Sequence, residues 1–487
     1  MSSELRHLHP AAMLIDAIKT IRRWVSAFVI PGIAVLASRG FSMQTLAFIL
    51  LGALVAAAFA ALWGFLSWRA TTYEVSGGAF RLRQGVIQKN ERTIPLEHVQ
   101  SVDTVQGIVQ RLFGIVEVRV ETAGGGTSEP DASLSALDRA DAEALRREIE
   151  GSQREPVEAE EAVEPTVLRQ LGTRELLIAG ATSGQIGVAF SLIAVVSQLF
   201  DDLLSESFAQ RLFETLAPRS VTAALLLICA FGVFAWLLAI GGTVLAHAGF
   251  TLSRDGDFLY IKRGLLERRE ATIPLARIQA VRIVEGILRQ PFGLATLRVE
   301  SAGYGEDSGV STTLFPLLPR KEAHELLLGA APEFAVVPTL DSLPARAIRR
   351  YVFRTIAPVL LLSVAFALVS SLTFNFAIWG FAALLLVFPA AVYGWLRYRD
   401  AGWAYKGDRL VVRSRLLART TTVAPRRRLQ SRDVIRSPFQ RRARLATFRV
   451  QVASGGGGGA YGVVDLEADS AEALAEALGP RARHGEG

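Results

Sequence analysis

Residues 355–396 read TIAPVLLLSVAFALVSSLTFNFAIWGFAALLLVFPAAVYGWL, forty-two consecutive positions without a charged side chain. A helix that crosses a bilayer needs about 20 apolar residues, so this stretch has room for two such helices and a turn. Ser370, Ser371 and Asn375 are placed to supply the turn. Upstream, residues 176–200 and 220–249 are likewise free of Asp, Glu, Lys and Arg, and a charged segment separates them. Near the N-terminus, residues 24–38 and 40–68 are divided only by Arg39. The pattern predicts a polytopic membrane protein with six spans paired into three hairpins. A composition of 51% hydrophobic and 20% charged residues is tilted the same way.

The first segment is short for a span, and Val35-Leu36-Ala37 behind Arg22 and Arg23 could pass for a signal-peptidase site. Another span follows at once, which makes an uncleaved helix the better reading. Arg22, Arg23, Arg69, Arg169, Arg174, Arg349, Arg350, Arg354, Arg397 and Arg399 flank the span ends that join the N-terminus or the soluble regions, whereas the opposite loops are poor in basic residues. By the positive-inside rule both termini and all soluble regions are expected in the cytoplasm.

The soluble regions repeat. Thr93-Ile94-Pro95-Leu96, Gln100, Gly107-Ile108, Phe113-Gly114 and Arg119-Val120-Glu121 recur without a gap as Thr272-Ile273-Pro274-Leu275, Gln279, Gly286-Ile287, Phe292-Gly293 and Arg298-Val299-Glu300. Thirty aligned positions from Arg92 and Ala271 contain fourteen identities. A fainter third copy keeps Pro425, Arg428, Gln430, Leu445-Ala446-Thr447 and Arg449-Val450, with Ala443 and Arg444 in place of Phe-Gly. The expected unit is a helical hairpin followed by an α+β domain of several strands and one helix. In the third copy, Asp469 and Glu472 have the spacing of a capping box for that helix. The expected division is 1–69 (first hairpin), 70–151 (domain), 152–174 (acidic linker), 175–249 (second hairpin), 250–332 (domain), 333–354 (linker), 355–397 (third hairpin) and 398–487 (basic domain).

This succession of hairpins and motifs resembles the bacterial PH-like domain membrane proteins of the YdbS and YdbT type, here with three copies. The resemblance implies α-helical membrane hairpins plus three PH-like domains, each a bent antiparallel sheet capped by a C-terminal helix. It also implies a bacterial plasma-membrane location, a cell-envelope role and no catalytic residues to carry over.

Charge is concentrated in the third copy. Residues 403–453 hold fourteen Lys and Arg against Asp408 and Asp433, while the whole chain carries only +7. Arg426, Arg427, Arg428, Arg432, Arg436, Arg441, Arg442 and Arg444 are therefore the candidate contacts for anionic lipid or a protein partner. A solvated positive-inside face explains the same charge as simply. Nucleic acid ranks last, because no aromatic stacking residues interleave with the arginines. Arg119, Arg298 and Arg449 share one strand position, and a shared salt-bridge or strand-edge role is the plain reading. Pro95, Pro274 and Pro425 are expected to break strand edges.

Other chemistry finds little footing. Cys229 is the sole cysteine, so one chain cannot build a disulfide or a zinc cluster. The six histidines show no His-x-x-x-His pairing. Glycine runs at 124–126 and 455–459 lack the Lys-Ser or Lys-Thr of a phosphate loop. No cofactor, metal or catalytic group is expected. Polar residues within the spans, such as Gln185, Ser191 and Asn375, are uncharged, which weighs against ion-coupled transport. Gly180, Gly184 and Gly187 offer a close helix contact. The favoured function is non-enzymatic: membrane-anchored PH-like domains that engage anionic lipid or a protein partner, which could be another PH-like membrane protein. A transporter or lipid flippase with regulatory domains is the alternative, and an envelope enzyme ranks behind it.

Overall fold

Apolar and polar side chains alternate in the repeats, and alternation sends successive side chains to opposite faces of a strand. In Leu445–Val452, for example, Phe448, Val450 and Val452 are buried while Arg449 and Gln451 are exposed. The computed structural model describes residues 5–21, 43–122, 132–153, 165–183, 220–301, 313–336, 339–373, 384–453 and 459–479. Within them each copy lays down seven strands. The first copy has β1 (Arg6–His7), β2 (Thr72–Ser76), β3 (Ala79–Gln84), β4 (Asn90–Pro95), β5 (Val99–Gln106), β6 (Ile115–Thr122) and β7 (Ala132–Asp138). The second has β8 (Thr166–Gln170), β9 (Thr251–Asp255), β10 (Phe258–Arg263), β11 (Arg268–Pro274), β12 (Ile278–Glu285), β13 (Leu294–Ser301) and β14 (Thr313–Pro319). The third has β15 (Asp341–Ser342), β16 (Gly402–Lys406), β17 (Arg409–Arg415), β18 (Arg419–Pro425), β19 (Leu429–Ile435), β20 (Leu445–Val452) and β21 (Gly459–Glu467).

The first strand of each copy lies on the far side of the helical segment from the other six. β1 pairs antiparallel with β2 (Arg6 opposite Tyr73), β8 with β9 (Val167 opposite Ser253) and β15 with β16 (Asp341 opposite Trp403). The helical segment is thus an insertion between the first and second strands, rather than a prefix to a finished domain. Residues 166–170 and 341–342, read from composition as parts of linkers, are strands of the sheet that follows. Pro95, Pro274 and Pro425 each end a strand and lead into a single 3-10 turn, where the missing N–H costs no ladder bond.

Sheets are shared between neighbouring copies. The orders are β1-β2-β3-β4, then β7-β6-β5-β11-β10-β9-β8, then β14-β13-β12-β18-β17-β16-β15, and finally β19-β20-β21. Copy one therefore lends its C-terminal three strands to the N-terminal strands of copy two, and copy two does the same for copy three. The chain divides into two compact units accordingly, one built mainly on Met1–Pro274 and the other on the residues from Leu275 onward.

The core of the first unit includes Phe80, Leu82, Ile115, Val118, Leu134, Leu145 and Ile149, all essentially inaccessible. That of the second includes Leu410, Val412, Phe448, Val450, Leu466 and Leu474. Each such side chain contributes about 1.5–3 kcal/mol by leaving water. The sheets are followed by helices at Arg139–Gln153, Ala323–Ala330 and Ala468–Ala477. The last begins before Asp469, with Glu467 at its N-cap and no side-chain cap, so Asp469 lies in the first turn and the Asp469/Glu472 box is not formed.

Three helices are long and apolar enough to cross a membrane: Leu50–Ala70, Leu225–His247 and Ala347–Val369. The six expected spans thus reduce to three candidates among the described residues. Span 24–38 lies outside those residues, as do most of 176–200, residues 374–383 with the expected turn residue Asn375, and Gly184 and Gly187. Residues 173–181 and 387–400 are helical. The expected turn at Ser370 and Ser371 is not made there, because helix Ala347–Thr373 runs through both. In hydrocarbon an unbroken helix keeps its backbone groups satisfied where a turn would expose them.

Glycine sets the close approach of residues 173–181 to helix Val221–His247 and of helix Val387–Asp400 to helix Ala347–Thr373. A Cβ on Gly180 would stand 3.0 Å from Ile240 Cα, and one on Gly394 would stand 2.7 Å from Val352 Cα. Small residues at such positions let two backbones come together. Trp236 Nε1 donates to Ala181 O at 3.0 Å across the first of these contacts.

Candidate functional site

Two connections in every copy carry exposed apolar residues, which water disfavours unless another surface covers them. The first joins the third and fourth strands. Its apolar residues are Ile87 in copy one, Leu265 and Leu266 in copy two, and Leu416 and Leu417 in copy three, all exposed. The second joins the fifth and sixth strands. It exposes Ile108, Leu112 and Phe113 in copy one, Ile287, Leu288 and Phe292 in copy two, and Phe439 in copy three.

The first connection sits against a span end. Leu265 N donates to Leu245 O at 2.9 Å and Gly264 N to Ala248 O at 2.8 Å, in the last turn of helix Val221–His247. In the third copy Tyr393 Oη donates to Leu416 O, and Arg397 Nε donates to Arg415 O at 3.2 Å. Tyr393 lies seven residues before Asp400, the end of its helix. At 1.5 Å per residue, Leu416 and Leu417 therefore reach about 10 Å back along that helix. Aromatic and basic side chains gather there: Arg399 lies over Trp395 at 4.9 Å and Arg397 over Tyr393 at 5.8 Å. Such a belt is typical of the interface between hydrocarbon and water.

The second connection is tied to the same level. In the first unit Arg111 donates to Leu265 O at 2.8 Å, joining the apolar turn of copy one to the tip of copy two. In the second unit Gln290 binds Arg415, which is paired with Asp400 at the end of helix Val387–Asp400. Beneath this turn Arg289 is buried and donates to Pro316 O at 3.0 Å. Burial, helped by the positive charge of Arg298, pushes its guanidinium pKa down to about 10. The turn of copy three is the short helix Pro438–Arg442, where Gln440 Nε2 donates to buried Asp465 at 2.8 Å. Asp465 also pairs with Arg350 at 3.0 Å and Arg354 at 2.8 Å, within the first turns of helix Ala347–Thr373.

The eight candidate arginines divide into four held by partners, one half-buried and three exposed. Arg426 binds Gly479 O and faces Asp408, Arg427 pairs with Glu333, Arg432 donates to Leu478 O at 2.9 Å, and Arg436 pairs with Glu472. These four are spent within the protein. Arg428 is half-buried, and burial followed by the charge of Arg427 lowers its pKa. Arg441, Arg442 and Arg444 are exposed beside Phe439, and among the described residues no side-chain partner is found for them. Composition could not separate the sets, because the partners Glu333 and Glu472 are distant in sequence. It also passed over Phe439 and the other apolar tips. Their signal was available as bulky apolar residues at strand-connecting turns, which elsewhere favour polar residues.

Arg119 pairs with Glu117 at 2.9 Å, which meets the salt-bridge reading of that position in copy one. Arg298 and Arg449 are exposed.

Three stretches, 23–153, 191–330 and 352–482, match the family profile described as bacterial PH domain. The chain belongs to the bacterial PH domain family. It is also 33% identical over 473 residues to the UPF0699 transmembrane protein YdbT of Bacillus subtilis (strain 168), covering 93% of this chain and 94% of that protein. No solved structure matches it. This member of the family is thus a transmembrane protein with three PH-domain repeats.

Proposed function

We propose that the protein is a non-enzymatic membrane scaffold whose three PH-like domains rest on the cytoplasmic leaflet of a bacterial plasma membrane. The apolar tips enter the interface, and Arg441, Arg442 and Arg444 meet anionic headgroups. The observation that carries this reading is the seating of Leu416 and Leu417 beside Tyr393 and Arg397, in an aromatic and basic belt. Each Lys or Arg near anionic lipid contributes about 1 kcal/mol, so three arginines add about 3 kcal/mol to the insertion of Phe439 beside them.

The same proposal keeps six spans with both termini in the cytoplasm, the side that the basic span ends favour. Each helical segment leaves one strand and returns to its antiparallel neighbour, so both ends emerge on one side. Such a segment must cross the bilayer an even number of times. One candidate span per copy then calls for a second.

A nitroxide at position 439 tests the docking, using Phe439→Cys in a Cys229→Ser background with full-length protein in nanodiscs. The expected spectrum is relaxed by oxygen and shielded from a water-soluble nickel chelate, whereas a label at exposed Asp469 behaves oppositely. Equal nickel access at both positions would reject the reading. The headgroup contact is tested by adding phosphatidylglycerol to the nanodiscs. Shielding should increase, and changing Arg441, Arg442 and Arg444 to Gln should abolish the increase.

A further inference from the structure

The sheets shared by neighbouring copies follow one rule. In the first junction Arg268 faces Gln106, Arg269 faces Val105 and Glu270 faces Thr104. In the second, Arg419 faces Glu285, Thr420 faces Val284 and Thr421 faces Ile283, and the ladder continues to Val423 opposite Val281. Aligned through Pro95, Pro274 and Pro425, the two registers coincide: Arg268 and Arg419 occupy one repeat position, and Gln106 and Glu285 the other.

An array built this way has two unmatched ends. Among the described residues, β4 closes its sheet with only β3 as neighbour, and β19 closes its sheet with only β20. These are the two halves of the same junction. Their exposure fits: Arg92 and Thr93 of β4 are exposed, whereas their counterparts Ala271 and Thr272, and Thr422 and Val423, are buried. On β19, Ile435 is 45% exposed, while its counterpart Val105 in the first junction is 4% exposed. An edge strand that is neither covered nor paired invites another strand.

We propose that β19 of one molecule adds to β4 of a second copy of this chain, head to tail and in the register of the internal junctions. Asn90 then faces Ile435, Glu91 faces Val434 and Arg92 faces Asp433. Glu91 lies diagonally between Arg432 and Arg436, a distance that long side chains bridge. Arg436, which stands where Glu285 stands in the second junction, comes opposite Lys89, and its charge is balanced by its pairing with Glu472. A contact between two different surfaces does not close on itself as a twofold dimer does, so it generates chains or rings of molecules. Shared membrane anchoring holds the edges in one plane and lowers the entropy lost on pairing. The proposal depends only on the strand edges, not on the lipid reading above.

Disulfide crosslinking of the full-length protein in native membranes tests it. In a Cys229→Ser background, the double variant Glu91→Cys/Val434→Cys should form a ladder of dimers, trimers and higher species on mild oxidation. Glu91→Cys or Val434→Cys alone should not exceed a dimer, and mixing the two single variants should give the heterodimer. The out-of-register pair Glu91→Cys/Gln430→Cys should crosslink at least tenfold less. Adding Ile435→Lys to the double variant should suppress the ladder, with thermal stability as the control for folding. Absence of the ladder in a folded double variant would overturn the proposal, as would equal crosslinking of the out-of-register pair.

Discussion

Arg419 and Glu285 face each other across the junction of copies two and three, with Arg419 Nε 3.0 Å from Glu285 Oε1 and a second guanidinium nitrogen on the other carboxylate oxygen. The Glu285 side chain is wholly buried. Arg419 also lies 3.7 Å from Asp400, and Arg415 joins Asp400 as well, so the junction is wired to the end of a helix that enters the membrane. Hydrogen bonding to Glu285, opposed by burial and supported by the charges of Glu285 and Asp400, raises the Arg419 pKa.

Breaking this pair from one side leaves a buried charge without its partner, at a cost of about 3–5 kcal/mol. Arg419→Ala, which leaves the wholly buried Glu285 with Arg320 alone at 3.6 Å, should therefore lower the thermal midpoint of the detergent-solubilised protein sharply. Replacing both partners, as Glu285→Leu with Arg419→Met, should recover most of that loss, since no charge is then stranded. A double variant as unstable as the single would show that packing, rather than charge, governs the junction.

Arg444 adopts φ 52°, in the left-handed region, where copies one and two have Gly114 at φ 69° and Gly293 at φ 62°. A side chain there costs about 1–2 kcal/mol relative to a relaxed conformation. Nothing lies within 4 Å of a Cβ built on Gly114 or Gly293, so the arginine is strained by its backbone rather than crowded. Arg444→Gly should therefore stabilise the third copy by about 1 kcal/mol in thermal unfolding, offset by the entropy that glycine regains in the unfolded chain. If the arginine serves the membrane surface, the same variant should show weaker shielding of position 439 in anionic nanodiscs. A retained strain that harms stability and helps binding is the pattern expected of a functional residue.

Much of the architecture was legible because it is written in local pattern. Charge-free runs marked the helical segments, and the ungapped recurrence of motifs marked an α+β unit used three times. Edge pairing was not legible. A strand such as Arg268–Pro274 carries the same alternation whether its free side meets Gln106 or water, because the bonds that decide the matter are made by the backbone. β1 and β15, two residues each, are too short to show alternation at all. The arginines failed differently, since Arg427 could be told from Arg441 only by knowing that Glu333 folds back beside it.

The contact of Gly394 with Val352 tests how the third helical pair is held. Any side chain at 394 would have to displace the backbone of helix Ala347–Thr373, as its Cβ would fall 2.7 Å from Val352 Cα and 3.0 Å from Tyr351 O. Gly394→Leu should separate the two helices and reduce the accumulation of folded protein in membranes severalfold. Gly232→Leu, at a position with nothing within 4 Å, should be tolerated. Similar levels of both variants in membrane fractions would refute the close approach.

Acid should weaken the first copy through Glu117. Burial of this carboxyl would raise its pKa, but Lys19 at 3.6 Å, Arg119 at 2.9 Å and the Ser133 hydroxyl at 3.0 Å outweigh that and hold it below the ordinary value. A carboxylate with a lowered folded pKa binds protons more readily in the unfolded chain. Its stabilisation is thus complete above the unfolded value of about 4.3 and is lost as pH falls through the folded value. Asp16 acts in the opposite sense: burial outweighs the hydrogen bond from Ser67 and the charge of Lys19, and its pKa is raised. Thermal midpoints measured from about pH 6 down to pH 3 should therefore fall less steeply for Glu117→Gln than for the native protein. Asp16→Asn should raise the midpoint near neutral pH, where the native protein bears the cost of a buried charge. Parallel curves for Glu117→Gln and the native protein would mean that Lys19 and Arg119 do not hold the carboxylate as the geometry requires.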